Sequence, residues 1–468
     1  MAKEKSDKVR KGFFFYFGFF LLILVAVVLI IFVVMMFMPG TSILGLEYFT
    51  GEGTNHVLAT TDESQTQINF DQPNFNSVEI DAGYASVSVQ KNNEFEQNGI
   101  YIINNAKGFV TSAKANDFGY SVTLEDGTLK ISVTEQNGFL YFSKDARVVL
   151  QISNENINPF AGKSISIKNT DGAVYIGGPV NAGYSHNVDI GSLTVENGKG
   201  GIVLSSHSPS YFNSLNLTTS SGGITFNNPA VSAENMSVST GSGDITAGGL
   251  SSGSIIVLNT GSGQININQI SSFSSQCTDA YMNIGTVNGS ADFTASADTF
   301  SSSVINIDRI NGNITATQAQ NSTFNLGTVS GIAYIHSSTG TINIASMQSY
   351  SNLFTTSATI NAAVAQDASN VSIATEKGTL NITLPTDFVA TTIENQAGET
   401  NLTLPENANS TIYFNYYGED VSAEFNFDNV NLNLEGEQPT NPYIVGNGES
   451  GLTLRCNRTI NFNWTQSA

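Results

Sequence analysis

Positive charge is what this sequence has least of. Its 468 residues include 18 lysines and arginines against 39 acids, and five of those cations, Lys3, Lys5, Lys8, Arg10 and Lys11, crowd the amino terminus beside only Glu4 and Asp7. The rest of the chain therefore carries 13 basic and 37 acidic residues. A surface of that sign repels phosphate backbones, which excludes nucleic acid as a partner. Charged residues of both signs together reach only 12%, about half the roughly 25% of an ordinary globular protein. Cysteine occurs twice, at Cys277 and Cys456. The two are too distant for a metal-ligand spacing and too few for a disulfide framework, so buried apolar thiols are the expected role.

Catalytic constellations are equally thin. His56, His186, His207 and His336 are dispersed, with no two at metal-ligand spacing, and no cofactor is expected. Asp292, Asp298 and Asp308 fall close together, but between positions 200 and 340 the only Lys or Arg is Arg309. A sugar-cleaving site needs a positioned acid, base and cation set, and these three read as solvated acids that do not converge on one. No Gly-x-Ser-x-Gly elbow occurs, and the calcium-binding nonapeptide does not iterate. The expectation is no enzyme, with a carbohydrate-active β-helix enzyme the weakest reading.

What the sequence does contain begins with an uncharged run over 13–38, "FFFYFGFFLLILVAVVLIIFVVMMFM", closed by Pro39 and Gly40. At about 1.5 Å per residue it reaches roughly 39 Å, enough to cross a hydrocarbon core of about 30 Å. The run is about twice the length of a signal-peptide core, which favours an uncleaved anchor over a cleaved leader. Cations precede it and the next one after it is Lys91, so the positive-inside rule puts 1–12 in the cytoplasm as a basic tail and the remainder outside. Membrane lipid is the partner of 13–38. Residues 39–76, mostly polar, read as a tether.

Beyond it, a small turn residue recurs about every 20 positions: Gly172, Gly200, Gly222, Gly243, Gly263, Ala280, Ser303, Ser322, Gly340, Ala358, Gly378 and Gly398. Apolar pairs stand seven and five residues before it, such as Leu215 and Leu217, and two and four after it, such as Ile224 and Phe226. A third apolar position comes seven after it, at Leu250, Ile270, Val287, Ile310, Val329 and Met347. Alternation by two is strand geometry with one face buried. The reading is an all-β chain, a parallel β-solenoid of about 20 residues per coil over 165–405, preceded by one transmembrane helix. Glycine at the turn is expected to supply a backbone conformation that other residues avoid. Residues 77–164 read as an N-terminal β segment or divergent first coils, with Asp126-Gly127 as a hairpin turn, and 406–468 as C-terminal coils and a cap.

Three positions after the turn residue, eight successive units carry asparagine: Asn266, Asn283, Asn306, Asn325, Asn343, Asn361, Asn381 and Asn401. Stacked at strand spacing, their amides can form a hydrogen-bonded ladder. Such a ladder either stabilises and solvates a flat sheet face or offers a regular polar face to a repetitive ligand such as a glycan. Earlier units carry Tyr175, Val203, Thr225 and Thr246 instead.

"TGSGDI" at 240–245, "TGSGQI" at 260–265 and "LEDGTLKISV" at 124–133 resemble the bacterial putative-adhesin family, over roughly 78–400. That resemblance implies a membrane-anchored β-solenoid at a bacterial cell surface. The function it implies is a non-catalytic binding or adhesive module for a glycan, an envelope polymer or a surface protein. The alternative is a structural or envelope-sensing element with no ligand of its own. No functional residue transfers from the family.

Overall fold

The computed structural model describes residues 2–38, 42–43, 46–50, 53–57, 68, 70, 72–92, 98–111, 119–134, 138–143, 145–153, 158–177, 188–206, 208–276, 279–294, 302–366, 368–388, 390–405, 407–415, 425–428, 442–456 and 460–465. Cys277, Asp298, His186 and His207 lie outside the described residues.

The apolar run is a helix, Ala2–Met36, and its portion Phe15–Met36 is long and apolar enough to cross a membrane. From position 15 to position 30 every side chain is exposed. A helix that is apolar all round and uncovered by its own protein needs a lipid solvent.

Almost everything after the helix is strand, and successive coils pair in parallel at the intervals of the repeat. Val174 stands beside Ile202, Ile202 beside Ile224, Ile224 beside Ile245 and Ile245 beside Ile265. The same inward column runs on through Met282, Ile305, Phe324, Ile342, Ile360, Leu380 and Thr400. A second column stacks Ile165, Leu193, Leu215 and Met236. The third stacks Leu250, Ile270, Val287, Ile310, Val329 and Met347, all buried. Each coil thus buries its apolar side chains against the coils above and below, which gives a parallel β-solenoid.

The turn between the two strands of a coil is closed by one side chain. Thr240 Oγ1 accepts from the Gly243 amide at 2.9 Å and donates to the Gly222 carbonyl of the preceding coil at 3.1 Å. Thr260 repeats this with Gly263 and Gly243, and Asn395 with Gly398 and Gly378. The Thr-x-x-Gly signature is therefore a device that closes a turn and binds it to its neighbour.

Here the structure corrects the reason for glycine. Among the turn residues named above, only Gly340 has a left-handed backbone, with φ of 114°. At the other turn glycines stacking forbids a side chain: a Cβ on Gly222 would lie 1.9 Å from the Gly200 carbonyl oxygen, and one on Gly243 2.0 Å from that of Gly222. The left-handed positions of the later coils are borne by non-glycine residues, including Asp279, Ser302, Asn321, Tyr350, Asn370 and Ala390.

Both ends depart from chain order. Ser77–Gly83 and Ser86–Asn92 form a true coil, but it sits between Ser164–Asn169 on one side and Thr128–Thr134 on the other. Antiparallel strands cover the base: Gly119–Glu125 returns on Thr128–Thr134 through the left-handed pair Asp126 and Gly127, and Gly99–Asn104 lies on Ala146–Ser153. At the far end Ser450–Cys456 inserts between Thr391–Asn395 and Ser410–Asn415, and Tyr443–Val445 closes the stack antiparallel. Capping of this kind removes the open edges on which another chain could add. The stretch read as a tether also contributes strands. Leu46–Thr50 pairs with Lys107–Thr111, and Gly53–Val57 with Gly99–Asn104.

Candidate functional site

The asparagines form one unbroken row. Register places Asn266 beside Asn283, then Asn306, Asn325, Asn343, Asn361, Asn381 and Asn401. Each Nδ2 donates to the Oδ1 of the rung before it, at 2.6 to 2.8 Å throughout. The period follows from strand spacing, about 4.8 Å.

Sequence reasoning stopped one rung short. Asn461 donates to Asn401 Oδ1 at 2.6 Å and to Glu399 Oε1 at 2.6 Å, and register sets Asn426 beside Asn461. The spacing search failed there because Ile460–Thr465 is inserted beside Thr400–Pro405 out of chain order. The triplet apolar–Asn–apolar was the usable signal: Ile460-Asn461-Phe462 and Phe425-Asn426-Phe427 match Ile342-Asn343-Ile344.

The row lies along a shallow, open groove on the sheet face, of about 960 Å³, that runs from Asn306 to Asn463. Two positions along the same strands stand Gly327, Ala345 and Ala363, then Thr383 and Thr403. Such small side chains leave the amides, which are half-buried, open to solvent. Asp308 is the one charged residue of the lining. An asparagine amide has two N–H donors and two acceptor lone pairs. The ladder uses one of each, so from Asn283 to Asn401 every rung keeps a donor and an acceptor for a ligand.

Of the carboxylates singled out from sequence, the two among the described residues, Asp292 and Asp308, lie on different strand columns. Asp308 lies in Val304–Ile310 on the ladder sheet, whereas Asp292 lies in Ala291–Thr294, which pairs with Ile314–Ala319 on the other sheet. Among the described residues no three His, Cys, Asp or Glu side chains are grouped so as to hold a metal ion. His336 sits in an aromatic cluster, its ring 4.3 Å from Tyr334 and 5.6 Å from Phe354, while His56 lies in the strand Gly53–Val57. Cys456 is buried beside Asn395 in the inner turn column, with Thr400 Oγ1 3.6 Å from its sulfur. Burial pushes its thiol up to about 11.

Comparison with known proteins bears on the fold. A structure from Bacteroides fragilis described as a putative adhesin shares 13% identity at a TM-score of 0.27, covering 62% of this chain and 97% of its own. One from Clostridium sporogenes described as a putative cell adhesion protein shares 7% at 0.14, covering 84% and 94%. Neither score carries an argument, for the fold or for function. No curated protein matches the sequence. A family model does match, over residues 75–331, which takes in the base of the solenoid and the ladder as far as Asn325. With more than half its length inside that match, the chain belongs to the Toastrack DUF4097 family.

Proposed function

We propose that this protein is a membrane-anchored surface module that holds a linear, uncharged, hydroxyl-rich polymer along its asparagine groove and performs no chemistry on it. The observation that carries this reading is the run of rungs from Asn283 to Asn401, each with a donor and an acceptor outside the ladder. A hydroxyl both donates and accepts, so a chain of hydroxyls complements such a row. With only Asp308 charged, the groove lacks the cations that an anionic polymer would require. The same scarcity of paired acid, base and cation speaks for binding without catalysis. The basic tail, Lys3 to Lys11, supports a cytoplasmic amino terminus with the solenoid on the far side.

Binding of the full chain to an array of neutral glycans tests this, with Asn306, Asn325 and Asn343 replaced together by Lys as the comparison. The wild type binds, and the variant, shown folded by circular dichroism, loses the signal. Binding that persists in the folded variant, or occurs in neither, rejects the reading. The ladder would then be purely structural, a second reading that the complete donor-to-acceptor pairing of the rungs favours.

A further inference from the structure

The small sheet beside the helix points to a second membrane contact. Ser42–Ile43, Leu46–Thr50, Lys107–Thr111 and Gly138–Ser143 form a four-stranded antiparallel sheet, separate from the solenoid. The last turns of the helix pack on it: Met35, Tyr48 and Phe109 are buried together, with Ile31, Phe32, Met36, Ile43 and Leu46 around them. The Phe32 and Phe109 rings meet edge to face at 4.7 Å.

Only one face of the helix is covered. Val33 and Val34 on the uncovered side, and Phe37 and Met38 just past the helix end, remain exposed, Phe37 at 82%. Water is a poor solvent for four such neighbours. The uncovered face continues the bare surface of positions 15–30, whose partner is lipid. Length agrees. At about 1.5 Å per residue, positions 13–30 span about 27 Å, just short of a hydrocarbon core of about 30 Å. Positions 31–36 then rise about 9 Å into the headgroup layer, and the sheet lies beside them.

We infer that this sheet is a collar seated in the outer headgroup layer of the bilayer, where it caps the helix and contacts lipid along the rim of Ile43 and Leu46. Because Lys107–Thr111 follows closely on Gly99–Asn104 of the solenoid base, the collar also fixes how the solenoid stands on the membrane. This inference does not depend on what the groove binds.

Fluorescence quenching in vesicles tests it. The sole tryptophan, Trp464, lies in the strand Ile460–Thr465 at the far end of the stack, and the wild-type chain should show no quenching by brominated phosphatidylcholine. In a Trp464→Phe background, Leu46→Trp and Ile43→Trp are each placed in vesicles whose lipids carry bromine close to the headgroup. Phe20→Trp, with bromine deep in the acyl chain, is the control for the span. Circular dichroism confirms folding, and the two collar variants guard against misfolding of either. The collar predicts loss of emission at Leu46→Trp and Ile43→Trp. Unquenched emission at both, with Phe20→Trp quenched, overturns the collar. Unquenched emission at Phe20→Trp overturns the anchor and the collar with it.

Discussion

Asn461 Nδ2 lies 2.6 Å from Asn401 Oδ1 although 60 positions of chain separate them. The row is thus maintained across a break in chain order: Ile460–Thr465 inserts between Thr400–Pro405 and Phe425–Asp428 and carries the ladder on in register. A contact rebuilt in that way marks the asparagine face as a feature of the three-dimensional stack rather than of the linear repeat.

The ladder sets a pH test. In Asn343→Asp the neutral carboxylic acid can still donate to Asn325 Oδ1 and accept from Asn361 Nδ2, whereas the carboxylate has no proton to give and faces the Asn325 oxygen. The native state therefore favours the protonated form and raises the pKa. Stability is then retained below the unfolded value, about 3.9, and lost as pH rises through the higher folded value. Urea titration should find the variant near wild type at acidic pH and about 1–3 kcal/mol less stable at neutral pH. Equal destabilisation at both would contradict the donor assignment.

The turn geometry predicts opposite outcomes for two small substitutions. Gly243→Ala drives a Cβ to 2.0 Å from the Gly222 carbonyl oxygen and should cost about 1–3 kcal/mol. Ala390→Gly relieves a φ of 52° and should raise stability by about 1 kcal/mol. Thermal or urea unfolding of the pair reads both signs. Were glycine needed for its backbone freedom at these turns, Gly243 would not show an ordinary φ.

Thr240 makes a separate prediction. Thr240→Val keeps the shape but removes the acceptor for Gly243 N–H and the donor to the Gly222 carbonyl, both buried. A loss of about 1–3 kcal/mol is expected, with faster hydrogen exchange at the Gly243 amide. Unchanged exchange there would show that the threonine does not close the turn.

How much of this was legible in sequence differs by element. Coil spacing was readable because strands bury alternate side chains, so Ile305, Phe324 and Ile342 repeat where their neighbours must stack. The ladder was readable to Asn401 for the same reason. What escaped was whatever depends on tertiary neighbours. Asn461 and Asn426 are displaced in chain order, and the short strands Ser42–Ile43 and Leu46–Thr50 sit in a stretch too polar overall to be read as sheet until Lys107–Thr111 pairs with the second of them. The cause of glycine conservation of space at Gly222 is the carbonyl of Gly200, which no local pattern displays.

Cys456 offers a check on burial. Its thiol, raised to about 11 by burial, should resist disulfide-exchange reagents at mildly alkaline pH in the native protein. Measured in a Cys277→Ser background, reaction should begin only on unfolding. The stabilising effect is present below the unfolded thiol pKa and lost as pH rises towards the folded one. Rapid native-state labelling would place Cys456 outside the core.

The central claim is that the row of amides is a ruler for a linear polymer. Binding of neutral oligosaccharides of increasing length, followed by titration calorimetry on the full chain, tests it most directly. From Asn306 to Asn401 the groove holds successive rungs about 4.8 Å apart. Affinity should rise with ligand length until the groove is filled, then level off, and fall away in the folded Lys variant of Asn306, Asn325 and Asn343. Affinity independent of length, or no binding by any member of the series, would contradict it.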